Sequence, residues 1–368
     1  MKYTDVLIIG GGPAGLCAAI SAAEAGCKVL LVDRNRSLGG QLVKQTHMFF
    51  GSEKQYASVR GIDISKILLN QIHDKENIEI LNDTTILGIY EDGVITAESS
   101  GIYMKFKAKS TIVATGASEK TLAFPNNDLP GVYGAGAVQT LMNEHGIKPG
   151  KNVLMVGAGN IGLIVSYQLL QAGVKVVAII DAAPNIGGYL VHASKVRRSG
   201  VPIYTRHTVK QAYGKDELKG ATIHKLDENW NPIEGTEMDL DIDVMCIAVG
   251  LSPLCELLWQ AGCEMKYMNE LGGYVPLRNE RMETSIPGIF VAGDVGGVEE
   301  ASSAMVEGYL AGINAAQSIG HTVCNIEEKK KDLNDQLHAL RSGPVGTKIR
   351  EGITQLQTVL EAAASSSL

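Results

Sequence analysis

The stretch that decides the fold is VLIIGGGPAGLCAAISAAEAGCKVLLVDRN, residues 6–35. It opens on an apolar run, passes through a cluster of glycines and continues into an alanine-rich segment that ends near Gly26. A second apolar run then leads to Asp33. This order predicts a strand, a tight turn, a helix and a second strand, which together make a βαβ unit.

The glycines of the turn have the spacing of a phosphate-binding motif. Gly10, Gly12 and Gly15 fit GxGxxG, and Asp33 lies 23 positions after Gly10, where a carboxylate that binds an adenosine ribose is expected. The helix N-terminus would offer backbone N–H groups to a pyrophosphate, and we expect side chains at Gly10 and Gly12 to obstruct that approach. The alternative is a tight turn with a purely structural role.

The same unit occurs a second time, in residues 151–185, KNVLMVGAGNIGLIVSYQLLQAGVKVVAIIDAAPN. The glycines of the first unit recur 147 positions later as Gly157, Gly159 and Gly162, and Asp181 ends the following strand. One GxGxxG motif is weak evidence, but two in a strand-turn-helix context predict two dinucleotide-binding units. The alternative for the second copy is a retained fold that binds nothing.

The repeat also includes a second pair of glycines. GGQLV at residues 39–43 corresponds to GGYLV at residues 187–191, so we align Gly39 with Gly187. The residues from Lys44 to Ser52 have no counterpart in the second copy, and we interpret them as an insert of the first unit.

The end of the chain divides into a third apolar piece and a polar tail. A predicted strand ends at Gly293–Asp294 and leads into a helix of small residues. From Cys324 onward the sequence is polar, and Ser342-Gly343-Pro344 separates two predicted helices. These helices either dock on their own domain or form a partner-binding appendage. Their apolar residues at helical spacing are Leu333, Leu337, Leu340, Ile353, Leu356 and Leu360.

Composition excludes several classes of protein. With 33 basic and 40 acidic residues the 368-residue chain has a net charge of −7, which does not favour nucleic acid as a partner. The N-terminal apolar run is too short for a signal peptide. Polar residues and glycines interrupt the apolar stretch 153–180, so we expect no membrane span and a cytoplasmic protein. We predict no metal site.

The cysteines show no redox motif. No CxxC pair occurs, and we interpret all six as buried free thiols, which behave as small hydrophobic residues. They are Cys17, Cys27, Cys246, Cys255, Cys263 and Cys324.

Several motifs together carry a family resemblance. They are GGGPAG at 10–15, the acid Asp33, GGQ at 39–41, ATG at 114–116 and VAGD at 291–294. Over about residues 4–320 the chain is similar to the flavoproteins of the thioredoxin reductase type, which have two dinucleotide-binding domains. The resemblance implies that the first unit holds FAD, that the second holds a nicotinamide nucleotide, and that the chain then returns to complete the FAD domain.

The predicted fold class is therefore α/β. We expect two Rossmann-like domains of three-layer ββα architecture, with the NAD domain inserted in the FAD domain, and a helical C-terminal tail. The expected boundaries are 1–118 for the first part of the FAD domain, 119–250 for the NAD(H) domain, 251–323 for the second part of the FAD domain, and 324–368 for the tail.

The resemblance also implies which residues contact the cofactors. In the FAD domain they are Gly10, Gly12, Pro13, Ala14, Gly15, Asp33, Arg34, Gly40, Gln41, Thr115, Gly116, Gly293, Asp294 and Ala301, with Asp294 meeting the ribityl chain. In the NAD domain they are Gly157, Gly159, Asn160, Ile161, Gly162, Asp181 and Gly250.

The choice between NAD(H) and NADP(H) depends on charge after the second strand. A 2′-phosphate favours nearby arginines, whereas Asp181 is followed by AAPNIGG and no cation occurs before Lys195. The sequence therefore favours NAD(H).

The absence of CxxC separates the chain from thioredoxin reductases, whose chemistry needs the pair. The chain most resembles the FAD/NAD subunits of amine- and imino-acid-oxidising complexes, the group of sarcosine oxidase alpha, opine oxidase, proline or hydroxyproline dehydrogenase and hydrogen cyanide synthase. The similarity is clearest in GGQLVKQTH at 39–47, in residues 130–143 and in residues 293–316.

That resemblance implies an oligomeric complex whose further partners are an iron–sulfur protein and a second flavoprotein subunit. One alternative is a stand-alone NADH-dependent reductase of ferredoxin or another small acceptor, or an NADH oxidase. Another is a non-catalytic assembly protein.

Within the insert of the first unit, Lys44 and His47 are the candidate catalytic residues. A cation near the flavin stabilises its reduced, anionic form, and a histidine relays a proton near neutral pH. The alternative is that both residues only fill a loop.

Overall fold

The chain forms two compact units. The computed structural model describes residues 1–322 and 324–366. The first unit comprises Met1–Ser118 with Leu251–Leu368, and the second comprises Glu119–Gly250.

Helices and strands alternate through residues 2–81 and 132–205, as the repeat predicts, and a run of consecutive strands follows each of these stretches. The first segment contains β1 (Lys2–Ile9), α1 (Pro13–Glu24), β2 (Val29–Val32), α2 (Gly61–His73), β3 (Ile78–Leu81), β4 (Thr85–Ile89), β5 (Val94–Ser99) and β6 (Ile102–Val113). The middle segment contains β7 (Ala117–Glu119), β8 (Val132–Gly134), α3 (Ala135–Asn143), β9 (Asn152–Val156), α4 (Asn160–Gln171), β10 (Lys175–Asp181), α5 (Leu190–Arg198), β11 (Ile203–Thr205), β12 (His207–Tyr213), β13 (Gly220–Lys225), β14 (Met238–Asp241) and β15 (Val244–Ile247). The last segment contains β16 (Leu251–Pro253), α6 (Glu256–Gln260), β17 (Met265–Met268), β18 (Gly273–Pro276), β19 (Ile289–Val291), α7 (Ala301–Ser318), α8 (Ile326–Leu340) and α9 (Pro344–Ser366). Short 3-10 helices occur at Gly40–Lys44, Glu53–Gln55, Asn269–Leu271 and Asp294–Gly296.

The sheet of the first unit has the order β3-β2-β1-β6-β5-β4, with β19 also paired to β6. Strands β3, β2, β1, β6 and β19 are parallel, with Ile9 opposite both Val32 and Val113. Strand β6 is long enough to change partners, because its first half pairs antiparallel with β5 and its second half pairs with β1 and β19. Five strands therefore end at one edge, after Ile9, Val32, Leu81, Val113 and Val291.

The alternation of side chains along β1 builds three layers. Val6 and Ile8 are fully buried in the core that α1, α2 and α7 cover. Leu7 and Ile9 point to the opposite face, where they pack with residues of the β4–β6 meander such as Phe106. A strand with apolar residues on both faces is what a parallel sheet covered on both sides requires.

The second unit repeats this design. Its five-stranded sheet, β11-β10-β9-β15-β8, is parallel, and a separate antiparallel sheet is formed by β12, β13 and β14. In β9, Val153 and Met155 face the helical side, whereas Leu154 and Val156 face the second sheet. The prediction of two three-layer Rossmann-like units is confirmed.

The C-terminal tail is helical, as predicted, and breaks between α8 and α9 at residues 341–343. Leu337 is buried in the helical core of the first unit, and Leu333 and Leu340 pack against that core. Leu356 packs with Leu271 in a smaller apolar cluster. The described part of the tail is thus docked on its own unit, while the side chain of Leu360 lies outside the described residues. In the described part of the chain, no helix has both the length and the apolar character needed to cross a membrane.

Candidate functional site

The first glycine turn leaves the start of α1 without a side-chain cap. Gly12 precedes the helix with φ −77° and ψ −174°, and no side chain accepts a hydrogen bond from the first N–H groups. These groups lack partners within the helix, and they lie at the positive end of its dipole. Such a terminus is suited to an anionic ligand.

The three glycines of this turn have two different roles. Gly10 has φ +106°, and a Cβ there would overlap the carbonyl oxygen of Ala114, at the end of β6. A Cβ at Gly15 would overlap the carbonyl oxygen of Gly10. At Gly12 the nearest atom to a Cβ would be Gly40 Cα at 3.9 Å. The expectation that a side chain at Gly10 would obstruct a ligand is therefore wrong, because that position is occupied by the neighbouring strand, and only Gly12 faces open space.

The second turn has the same geometry. Gly157 has φ +114° and approaches Ala248, and Gly162 approaches Gly157 in the same way. A Cβ at Gly159 would meet no atom within 4 Å, and α4 starts after it without a side-chain cap. Both units therefore present one open glycine at an uncapped helix N-terminus.

The two strand-end acids hold these turns in place. Asp33 Oδ2 accepts a hydrogen bond from Gly11 N at 2.5 Å, and Asp181 Oδ2 accepts one from Ala158 N at 2.7 Å. The second oxygen of each acid accepts from the backbone two residues later, at 2.7 Å for Asn35 and 2.8 Å for Ala183. Each carboxylate oxygen has two acceptor sites, so capacity for ribose hydroxyls is left over.

The second glycine pairs correspond with a shift of one residue. Gly39 N donates to Gly11 O at 2.8 Å, whereas it is Gly188 N that donates to Ala158 O, at 2.9 Å. This hydrogen bond is therefore shifted by one residue relative to the sequence alignment, because one more residue separates Gly188 from the preceding strand-end acid.

Several predicted FAD residues converge at the sheet edge where β1, β2, β6 and β19 end. A Cβ at Gly40 would lie 2.7 Å from Gly12 Cα, and a Cβ at Gly293 would lie 2.9 Å from Ala14 Cβ. Thr115 Oγ1, just beyond β6, donates to Leu254 O at 2.6 Å. The carboxyl edge of a parallel sheet is where dinucleotides bind in this class of fold.

The remaining predicted residues have varied positions. Pro13 is the first residue of α1, Gly116 has φ +76°, and Ala301 begins α7. Gly250, with φ +120°, follows β15, and Asn160 Oδ1 accepts from Tyr189 N at 2.8 Å. The exposed residues of the set are Arg34, Gln41, Ile161 and Gly250.

The two candidate catalytic residues lie on the insert of residues 44–52, which follows the segment that places Gly40 beside Gly12. Lys44 ends the 3-10 helix Gly40–Lys44 and is half-buried. The ring of His47 stacks on Phe49, with centroids 5.8 Å apart. The insert is closed by a bridge between Met48 and Arg60, so both residues are held on an ordered loop.

Asp294 lies in an unusual electrostatic environment for a carboxyl group. Burial raises the pKa of Asp294 to about 7, and the negative charges of Glu299 and Glu307 add to the increase. A backbone N–H from Glu299 at 3.3 Å opposes it. Near neutral pH this group therefore exists in both protonation states.

This raised pKa predicts a pH-dependent stability. Between about pH 4 and pH 7 the folded state holds a proton that the unfolded state has released, so the free energy of unfolding from this group falls as pH rises. A rise of about 3 in the pKa corresponds to about 4 kcal/mol. For FAD-free protein, the variant Asp294→Asn should gain thermal stability relative to wild type from pH 5 to pH 8. A difference between the two melting temperatures that does not change with pH would contradict this.

Sequence reasoning missed a buried ion network beneath Asp294. Glu307 accepts from Arg278 Nη2 at 2.8 Å, from Arg341 Nη2 at 2.6 Å and from Gly293 N at 2.9 Å. Arg341 also binds Glu299 with two nitrogens, at 2.9 and 2.6 Å. One signal was available, because Glu307 is the only charged residue in the small-residue helix α7, and a buried charge needs a partner.

The described cysteines form no disulfide, and five of the six are buried thiols. All six lie in the described residues and are unpaired. Burial raises the pKa of Cys17 to about 12 and of Cys27 to about 11. It also raises the pKa of Cys246, Cys255 and Cys263, so these thiols stay protonated at neutral pH. The prediction that all six cysteines are buried is wrong for Cys324, which lies exposed in the turn before α8.

Comparison with known families now identifies the chain's relationship. The family model described as pyridine nucleotide-disulphide oxidoreductase matches residues 4–308. The chain belongs to this family. It is thus an oxidoreductase of the flavoprotein class, and members of its family bind FAD and NAD(P). The two open glycines at uncapped helix N-termini fit two such dinucleotides.

Individual relatives of this pyridine nucleotide-disulphide oxidoreductase include components of oxidases. An opine oxidase subunit of Agrobacterium tumefaciens (strain Ach5) is 26% identical over 331 residues, covering 85% of this chain and 65% of that protein. The alpha subunit of sarcosine oxidase from Corynebacterium sp. (strain U-96) is 28% identical over 338 residues, covering 86% of this chain and 33% of that protein. The chain therefore spans about two thirds and one third of the lengths of these relatives.

Among solved structures, T. acidophilum thioredoxin reductase matches with a TM-score of 0.72 at 22% identity, covering 86% of this chain and 99% of that chain. The predicted thioredoxin-reductase-like fold is confirmed.

Proposed function

We propose that this protein is an FAD-dependent, NAD(H)-linked oxidoreductase that serves as the electron-transferring subunit of an amine or imino-acid dehydrogenase complex. In this proposal the complex is of the sarcosine, proline or opine type and is located in the cytoplasm. The first unit holds FAD, the second unit holds NAD(H), and electrons pass between them and a partner flavoprotein or iron–sulfur protein.

The observation that carries the proposal is the combination of two open glycine turns with the lack of a cysteine pair. Two uncapped helix N-termini at Gly12 and Gly159 support two dinucleotides in one chain. The described cysteines are all unpaired, so electrons need an exit other than a disulfide. The opine oxidase and sarcosine oxidase relatives are both named as subunits, which supports a partner chain as that exit.

In the first unit, the chain's own groups would hold the FAD along the sheet edge. The N–H groups at the start of α1 would bind the pyrophosphate, Asp33 would accept from ribose hydroxyls, and Asp294 would meet the ribityl chain. Bound FAD supplies the capacity to accept a hydride and to return electrons singly or in pairs. The protein contributes orientation and exclusion of oxygen.

In the second unit, Asp181 favours NAD(H) over NADP(H), because a carboxylate accepts from a ribose hydroxyl and repels a 2′-phosphate. The fold does bring the backbone of Arg206 to this loop, since Arg206 N donates to Ala183 O at 3.0 Å. Hydrogen bonds from Asn231 and Asn229 lower the pKa of Asp227, and the positive charge of Arg206 lowers it further. We therefore retain NAD(H) as the proposed cofactor.

Lys44 and His47 are proposed to act on the flavin as cation and proton relay, because they lie on the insert that follows the segment of residues 39–43, in which Gly40 lies beside Gly12. The double variant Lys44→Met, His47→Gln should retain its FAD content and reduce flavin with NADH about 100-fold more slowly, the lower end of the contribution of a positioned acid or base. Stopped-flow absorbance measures this rate. Unchanged kinetics would show that both residues only fill the loop.

The role within a complex is tested by isolating the tagged chain from its source organism under mild conditions. We expect a second chain in stoichiometric amount, carrying its own flavin or cluster, and reduction of the complex by sarcosine, proline or an opine. A chain that purifies alone and rapidly transfers electrons from NADH to ferredoxin would instead be a stand-alone reductase. A colourless chain that takes up no FAD would be a non-catalytic assembly protein.

A further inference from the structure

The loop Gly293–Glu300, here called the Asp294 loop, connects β19 to α7 and is fixed from beneath by buried charges. Gly293 N donates to Glu307 Oε2 at 2.9 Å, and Arg278 lies directly below Gly296, where a Cβ would be 3.2 Å from its Nη1. The side chains of Arg278 and Glu307 are 5% and 2% exposed, so the network is shielded from water.

The C-terminal tail supplies the second cation of this network. Arg341, at the end of α8, binds Glu299 of the Asp294 loop through Nε and Nη2 and also reaches Glu307. Its side chain is 11% exposed and that of Glu299 is 8% exposed. A planar guanidinium bound to a carboxylate by two hydrogen bonds fixes orientation as well as charge.

Helix α9 holds the same loop from another side. Gly352 approaches Leu271 closely enough that a Cβ would lie 2.9 Å from its Cγ, and Leu356 packs in the same apolar cluster. Leu271 O in turn accepts from Val298 N of the Asp294 loop at 3.0 Å. Arg350 donates to Arg341 O, which ties the two tail helices together. The tail thus binds the loop directly at Glu299 and contacts it through Leu271 at Val298.

The charges of the network balance only when Arg341 is present. Two guanidiniums, Arg278 and Arg341, face two carboxylates, Glu299 and Glu307. Asp294 is a fifth group, and the charges of those two carboxylates help to raise its pKa. Without Arg341, two buried anions would share one cation, and the loop that carries Asp294 would lose its link to the tail.

We propose that Arg341 is a positioning residue of the FAD site, through which the C-terminal tail holds the Asp294 loop in the conformation that binds the cofactor. This rests on the proposed assignment of FAD to the first unit. The family match ends at residue 308, so α8 and α9 lie beyond the residues it covers. The tail is then a working part of the cofactor site.

The test compares FAD dissociation constants of the full-length protein, measured by isothermal titration of FAD-free samples. If the loop is ordered in only 1–10% of Arg341→Met molecules, the dissociation constant rises about 10- to 100-fold. Arg341→Lys keeps the charge but loses the bidentate hydrogen bond to Glu299, so its rise in the FAD dissociation constant should be smaller than that of Arg341→Met. Leu333→Ala loosens α8 without touching the network and should change FAD binding by less than about 3-fold.

Two further measurements separate positioning from simple charge balance. The double variant Glu299→Gln, Arg341→Met leaves Arg278 paired with Glu307, so its unfolding midpoint should recover while its FAD binding stays weak. In Arg341→Met, the pKa of Asp294 should rise, because the negative charges of Glu299 and Glu307 are then offset only by Arg278. Any pH dependence of FAD binding that follows the protonation of Asp294 should therefore move to higher pH.

Three results would decide against the inference. Wild-type FAD binding in Arg341→Met, or full recovery of binding in the double variant, would overturn the positioning role alone. A wild-type protein that takes up no FAD would overturn the proposed function as well.

Discussion

Replacing Gly12 by glutamate is expected to weaken FAD binding about 100-fold and leave the nicotinamide site intact. The Cβ has room, since its nearest neighbour would be Gly40 Cα at 3.9 Å, and φ of −77° suits any residue. The added carboxylate would face the negatively charged pyrophosphate, and juxtaposed like charges cost several kcal/mol of binding free energy. Because each loss of about 1.4 kcal/mol weakens affinity tenfold, a loss of about 100-fold is expected. Flavin content after reconstitution, followed by absorbance, measures the effect.

The matched variant Gly159→Glu is the control from the second unit. It adds the same charge at an equally open position, with no atom within 4 Å of its Cβ. It should bind FAD normally and lose reduction by NADH. If Gly12→Glu retains FAD while Gly159→Glu loses it, the assignment of the cofactors to the two units is reversed.

Replacing Glu307 by glutamine is expected to destabilise the first unit by about 3–5 kcal/mol, the usual cost of breaking a buried ion pair from one side. The carboxylate serves two guanidiniums and one backbone N–H, and the amide would remove its charge and place a donor beside another donor. Urea unfolding of FAD-free protein measures the loss. The fluorescence of Trp259 reports on this unit in a Trp230→Phe background.

An exposed ion pair provides the control for Glu307→Gln. Glu79 pairs with Lys2 on the surface of the same unit, where water screens the charges. Glu79→Gln should leave the urea midpoint unchanged. Equal effects of the two substitutions would mean that the buried network contributes no more than a surface contact.

The sequence predicted the repeated parts of the fold because they depend on local pattern. The run Val6–Ile9, the glycines and the strand-end acid define a strand, a turn and a helix within 30 residues, and the second copy repeats them. The break between the tail helices was equally local, at residues 342–344. The cofactor assignments of individual residues stay predictions.

Features that depend on distant residues were not predictable in the same way. Arg341 and Glu299 are 42 positions apart, and no periodicity brings them together. Glycine is required at position 10 because a side chain there would overlap the carbonyl of Ala114, which is more than 100 positions away in the sequence. The approach of Arg206 to the loop after Asp181 likewise requires the order of β10 and β11 in the sheet. Such contacts follow from topology, which sequence spacing does not contain.

The most direct test of the proposed electron route is anaerobic titration of the purified protein with NADH, and separately with NADPH, while the flavin absorbance is followed. We expect one equivalent of NADH to bleach the flavin and NADPH to do so far less effectively. Bleaching by NADPH alone would contradict the choice of nicotinamide. A flavin that neither nucleotide reduces would contradict the nicotinamide site itself.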